Sequence, residues 1–148
     1  MRSVLNTADC QLLCQRVASL AESSLPRWGR MTVRTMLSHL RCSCCMALGE
    51  LPVERHGKRA FEVFPLKHLI LYVLPFPKGA PTAPELLAGD AAPVDAARAD
   101  LQSLLERMST GPATGTGPRH PLFGQLSRSE WGILMHKHVD HHLTQFGA

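Results

Sequence analysis

Ser127-Arg128-Ser129-Glu130-Trp131-Gly132-Ile133-Leu134-Met135-His136-Lys137-His138-Val139-Asp140-His141-His142-Leu143-Thr144-Gln145-Phe146-Gly147 is the stretch that decides the fold. Its first four residues have the form of a capping box, in which a serine hydroxyl accepts an early helical N–H and a glutamate reaches back to the cap residue. The spacing predicts a helix from Arg128 to about Phe146, with Gly147 as its C-terminal stop. Met135, Val139, Leu143 and Phe146 make one apolar stripe of it. Beside that stripe His138 and His142 lie about 40° apart and one turn apart along the axis, so both imidazoles reach one point. His141 flanks the same face, Gln145 projects close to His138, and Trp131 stands two turns earlier. His136, Lys137 and Asp140 are expected on the face that points away.

Upstream of this helix the chain reads as further helices joined by irregular segments. Cys10, Leu13, Cys14, Val17, Leu20 and Ala21 recur at helical spacing, with Asn6 or Thr7 as the cap. Leu25-Pro26-Arg27-Trp28-Gly29 ends that element. Thr32 opens a second helix carrying Met36, Leu37, Leu40 and Met46, which Gly49 and Pro52 close. Leu66 to Leu74 has the length of a short helix or a buried strand, and helix is the expectation. Pro75 to Pro93 is expected to be irregular, because its prolines remove N–H donors and break periodicity. Val94 to about Met108 forms another helix on Ala97, Leu101, Leu104 and Leu105, and Ser109 to Gly117 reads as a loop. The expected class is an all-α helical bundle forming a single domain over residues 1–148, with a long proline-rich connection.

The composition agrees with one soluble domain. A chain of 148 residues that is 45% apolar and 19% charged can bury roughly two-thirds of its unfolded surface, and its mean hydropathy is −0.04. The longest apolar stretch, His68 to Phe76, is interrupted by Pro75 and falls well short of the ~20 residues that cross a bilayer. No apolar run ending in a small-residue cleavage site follows the N-terminus, so a cytoplasmic location and no membrane association are expected. The net charge is +4, but the basic residues are scattered. Aromatic residues, at 5%, are too few to stack on bases, so nucleic acid is not an expected partner.

A histidine pair four residues apart is metal-pincer spacing, and it needs a third ligand from elsewhere. His39 is the candidate because it interrupts the apolar stripe of the second helix, between Met36, Leu40 and Ser43. The alternative for the pair is an ordinary solvated face, and for His39 a core residue with one hydrogen bond. His56 in a polar linker and His68 after Lys67 are poorer candidates, and His120 is expected in a loop that packs on the last helix. The five cysteines offer a competing zinc site at Cys42, Cys44, Cys45 and His39. On one helix, however, those cysteines point in three directions and lack knuckle spacing. Cys10 and Cys14 read as small buried apolar residues, and Cys42, one turn beyond His39, as a reactive thiol beside the metal.

The segments Arg27-Trp28-Gly29-Arg30-Met31-Thr32, Met36-Leu37-Ser38-His39-Leu40, Pro81-Thr82-Ala83-Pro84-Glu85-Leu86, His120-Pro121-Leu122-Phe123-Gly124 and His138-Val139-Asp140-His141-His142-Leu143-Thr144-Gln145-Phe146-Gly147 together resemble the DinB/YfiT-like superfamily of metalloenzymes. The likeness is to a bacterial branch ending in HxDHHLxQFG and runs from the first helix to the last residue. It implies an up-down-down-up four-helix bundle, and a divalent metal held by a histidine of the second helix and a histidine pair of the last. Those positions are His39, His138 and His142 here. Characterised members of that superfamily transfer low-molecular-weight thiols or use them in isomerisation, and dimers are common among them.

Three neutral histidines leave a zinc, nickel or ferrous ion with an open position, the arrangement of catalytic sites. The leading expectation is therefore a thiol transferase or hydrolase acting on a small-molecule substrate, with the ion activating a thiol or a water. His141 and Gln145 would orient the ligands or substrate, and Trp131 would wall the pocket. Glu130 in its capping box and Asp140 on the far face leave no carboxylate base. The competing expectations are a non-catalytic module that a metal braces, and a bundle that binds no metal.

Overall fold

The computed structural model describes residues 1–54, 59–78, 84–86 and 92–148. Five helices dominate these: α1 (Thr7–Ala18), α2 (Val33–Leu48), the short α3 (Leu66–His68), α4 (Val94–Ser109) and α5 (Arg128–Gln145). The caps of three of the four long helices match the sequence, and α4 starts after Pro93 without a side-chain cap. The Asn6 side chain accepts the Asp9 N–H at the start of α1. Thr32 and Thr35 cap α2 reciprocally, and Gly49 closes it at φ +82°, a conformation that only glycine takes without a Cβ penalty. Ser127 and Glu130 form the capping box of α5 as expected.

The four long helices pack as a ring around one core. α2 lies mainly against α4, α1 touches α4 and α5, and α2 touches α5. Leu13 of α1, Met36, Leu37 and Leu40 of α2, Leu101 and Leu105 of α4, and Met135 and Leu143 of α5 are almost wholly withdrawn from water. Each such side chain contributes about 1.5–3 kcal/mol relative to exposure. Among the described residues no helix is long and apolar enough to cross a membrane.

An all-α description does not hold. Two short strands, β1 (Thr116–His120) and β2 (Gly124–Ser127), form an antiparallel hairpin leading into α5, with a register irregularity between Thr116 and Arg119. Residues 116 and 117, expected in a loop, are thus the start of a strand. The turn is built from His120, whose Nδ1 accepts the N–H groups of Leu122 and Phe123, both at 3.1 Å. Gly124 completes it at φ +66°, where an added Cβ would also come 2.5 Å from the Glu62 carboxylate. The strands evade sequence reading because Thr116-Gly117-Pro118-Arg119-His120 has no alternating apolar pattern.

Leu66 to Leu74 is helical, with a difference. α3 runs on into a π-helical turn at Leu69–Val73, and the Lys137 ammonium donates to the carbonyls of Ile70 at 2.6 Å and Leu71 at 3.3 Å. Within the expected irregular stretch, Pro84–Leu86 is a 3-10 turn packed on α2. The rest of the motif beginning at Pro81, and His56, lie outside the described residues.

Candidate metal centre

His39 enters the site from the middle of α2, and His138 and His142 from successive turns of α5. One nitrogen of each falls within 4.8 Å of the others. His39 Nε2 and His138 Nε2 are 2.9 Å apart, and the His142 ring centroid is 5.0 Å from each of the other two. Among the described residues this is the one group of three such side chains able to hold an ion. Cys42, although buried, is not part of it, and neither is a cysteine set with His39.

Two of the rings are held by their outer nitrogens. His142 Nδ1 lies 2.8 Å from Gln145 Oε1, and since an amide oxygen only accepts, the imidazole donates there and keeps a lone pair on Nε2. His39 Nδ1 lies 3.3 Å from the Leu86 carbonyl, which sets the same tautomer. Both lone pairs are thereby available at the inner nitrogens, the arrangement that outer hydrogen bonds impose on metal-ligating histidines. Gln145 is itself buried and donates from Nε2 to the Trp28 carbonyl at 2.8 Å.

The donor set fits a divalent ion. Two imidazole nitrogens each about 2.0–2.1 Å from an ion, at angles of 90–109°, stand about 2.9–3.4 Å apart. A hydrogen bond between His39 and His138 accounts for their 2.9 Å contact, but not for the convergence of a third nitrogen held by Gln145.

Burial keeps the cluster uncharged. His39 is 3% exposed and His142 8%. Burial lowers the His39 pKa, against the smaller opposing effect of the Leu86 carbonyl. It lowers that of His142 to about 4, against the Gln145 hydrogen bond and together with His39 and His141. His138 is pushed well below the usual range by burial and then by His39 and His142. Neutral imidazole is the form that ligates metal.

His141 stands at the rim, partly exposed, its ring 5.2 Å from His142, 5.7 Å from Trp28 and 5.9 Å from Phe76. Phe76 stacks on His138 at 5.4 Å, and Lys78 Nζ sits 4.4 Å above the Trp28 ring. These aromatic neighbours were not legible as such, because they come from irregular segments without periodicity. Trp131 instead lies beneath the hairpin, with Nε1 donating to the Pro118 carbonyl at 2.8 Å and its ring 5.2 Å from His120. His120 thus packs on the last helix as expected, while His68 is exposed beside Phe64 and Tyr72.

Three polar residues of α5 have other partners or places. Glu130 is taken up by its capping box and by Lys67 at 3.1 Å, and Asp140 pairs with Arg16 at 2.5 Å. His136, expected to point to solvent, is buried. The N-terminal segment lies on that side of α5, where the Val4 N–H donates to the Gly132 carbonyl, Ser3 and Leu5 approach Gly132, and Met1 and Arg2 stand beside His136. Two surface cavities, of about 450 and 380 Å³, are not lined by any of the three histidines.

A mostly helical domain with three converged, neutral histidines defines a candidate metal-binding protein. The chain belongs to the family described as "Protein of unknown function (DUF1569)", whose model matches residues 2–148. No curated protein and no solved structure matches it.

Proposed function

We propose that the protein is a metal-dependent enzyme in which His39, His138 and His142 hold one zinc, nickel or ferrous ion and leave part of its coordination sphere open. The observation that carries this reading is the anchoring of His39 and His142 by their Nδ1 atoms, so that both present Nε2 towards His138. Three protein ligands are the number found in catalytic zinc sites, where structural sites use four. The ion supplies Lewis acidity, lowering the pKa of a water or thiol and polarising an electrophile. Gln145 holds the His142 ring in place. His141, whose side chain makes no hydrogen bond among the described residues and whose pKa is lowered mainly by burial, orients the substrate or takes its proton. Phe76 and Trp28 shield that rim from water.

The resemblance to the DinB/YfiT-like superfamily extends the reading. On that reading α1, α2, α4 and α5 are the four helices of its up-down-down-up bundle, and the likeness favours a cytoplasmic thiol transferase or hydrolase acting on a small molecule, with a low-molecular-weight thiol or water as nucleophile. A homodimer belongs to the same proposal.

A second reading, in which the ion only braces the helices, draws on the burial of His39 and His142 and on their origin in two different helices. Elemental analysis of untagged protein beside the His138→Ala, His142→Ala double variant tests the site itself. About one metal per chain, lost in the variant, is expected. Cobalt-loaded protein then separates the two readings. A visible spectrum that shifts when a small thiol is added supports the open position, and a spectrum indifferent to thiol and azide leaves only the brace. Wild-type protein that is metal-free and cannot be reloaded overturns both.

A further inference from the structure

On the side of α5 opposite the three histidines, His136 is 7% exposed and its side chain makes no hydrogen bond among the described residues. Neither of its ring nitrogens is sealed off as a buried unpaired atom, so what contact they keep is with the cavity that His136 lines. That cavity, about 380 Å³, lies between Arg2, the Leu71–Pro75 segment and α5. Both nitrogens are therefore open to water in the cavity, and a ligand that accepts or donates there can take the water's place.

The chemistry of the walls narrows the ligand. Leu71, Val73, Leu74, Pro75 and Ile133 make the cavity largely apolar, and Val73 and Leu74 are 63% and 42% exposed. The charges at its edge are those of Arg2, Lys137 and Asp140. Asp140 is paired at 2.5 Å with Arg16, which also donates to the Ala148 oxygen, and nearby Asp9 accepts from the Ser3 N–H at 3.0 Å, so Arg2, Arg16 and Lys137 stand against these two carboxylates. Lys137 spends two of its three donors on the Ile70 and Leu71 carbonyls and keeps one. A positive balance is left beside an apolar trough and an unpaired imidazole.

We propose that this cavity binds a small carboxylate with an apolar tail, its head group held by His136, Arg2 and Lys137 and its tail lying along Val73 and Leu74. The site is separate from the metal centre, since positions 136 and 138 project about 200° apart around α5.

Calorimetric titration of the full chain with octanoate, as purified, tests this. Saturable 1:1 binding is expected, weakened about tenfold or more by His136→Phe, which keeps a ring but no hydrogen bond, and largely retained by His136→Gln. Octanol, without the charge, and hexanoate, two methylenes shorter, should each bind about tenfold more weakly. His39→Ala should bind octanoate as the wild type does. Should His136→Phe fail to fold, Arg2→Gln with the octanol comparison carries the same expectation. Absence of saturable binding, equal binding of octanol, or loss of binding in His39→Ala rather than in the His136 and Arg2 variants overturns the proposal.

Discussion

Gln145 Oε1 accepts from His142 Nδ1 at 2.8 Å while Gln145 Nε2 donates to the Trp28 carbonyl at 2.8 Å, so one amide ties a candidate metal ligand to the loop before α2. The loop leaves little room for change. Gly29 sits at φ +79°, and a Cβ there would come 2.9 Å from Gln145 Nε2. Gln145→Leu keeps the helix and its volume but frees the His142 ring and orphans the Trp28 carbonyl. Metal affinity should fall about 10–100-fold, read by competition with a chromophoric chelator, with an unchanged far-UV spectrum. Unaltered affinity would show that Gln145 serves packing alone.

Because the three ligands come from α2 and α5, an ion bound by them joins two helices that otherwise meet through side-chain packing. Metal at about 100 times its Kd should raise the unfolding free energy by about 2.7 kcal/mol, measured by urea denaturation with and without zinc. His39→Ala should abolish the increment. An equal increment in that variant would place the stabilising ion elsewhere.

Without metal, the depressed histidine pKa values make stability depend on pH in a definite direction. His142 titrates at about 4 in the folded chain against 6.5 as its ordinary value. The unfolded chain therefore takes up its proton first as pH falls. The stability it contributes is complete above 6.5 and is lost as pH falls towards 4, roughly 3 kcal/mol in all. His39 and His138 act in the same direction. The urea midpoint of the metal-free protein should drop between pH 7 and pH 4.5, and His142→Gln should show a shallower drop. Parallel pH profiles for the two would rule out His142 as a contributor.

The parts of this molecule that are legible in its sequence are those whose physics is local. The caps at Asn6, Thr32 and Ser127, the stop at Gly49 and the apolar stripes of four helices depend on residues three or four apart. The His138 and His142 pincer is of the same kind, and His39 betrays itself by interrupting an apolar stripe. What escapes is set by distant contacts. His136 is buried where residues 1–5 and the Leu71–Pro75 segment lie beside α5, and Phe76 reaches His138 from a segment with no periodicity to read. The hairpin is held by Trp131 and by the His120 turn rather than by alternating side chains.

The last of these contacts separates a structural from a functional role for Trp131. Its ring is 2% exposed, fixed by the Pro118 carbonyl at 2.8 Å, and a Cβ at Gly117 would lie 2.4 Å from its Cδ1 and 3.0 Å from its Nε1. A rigid, hydrogen-bonded indole cannot yield by that much, so in Gly117→Ala the hairpin must lift. Overpacking of this kind costs about 1–3 kcal/mol, read as a lower urea midpoint. Because the contacts of Trp131 run to the hairpin rather than to the three histidines, metal affinity in the folded variant should stay within about threefold of wild type, well under the tenfold that 1.4 kcal/mol represents. A tenfold loss of affinity alongside the destabilisation would instead make Trp131 a wall of the metal site, coupled to His138 along α5.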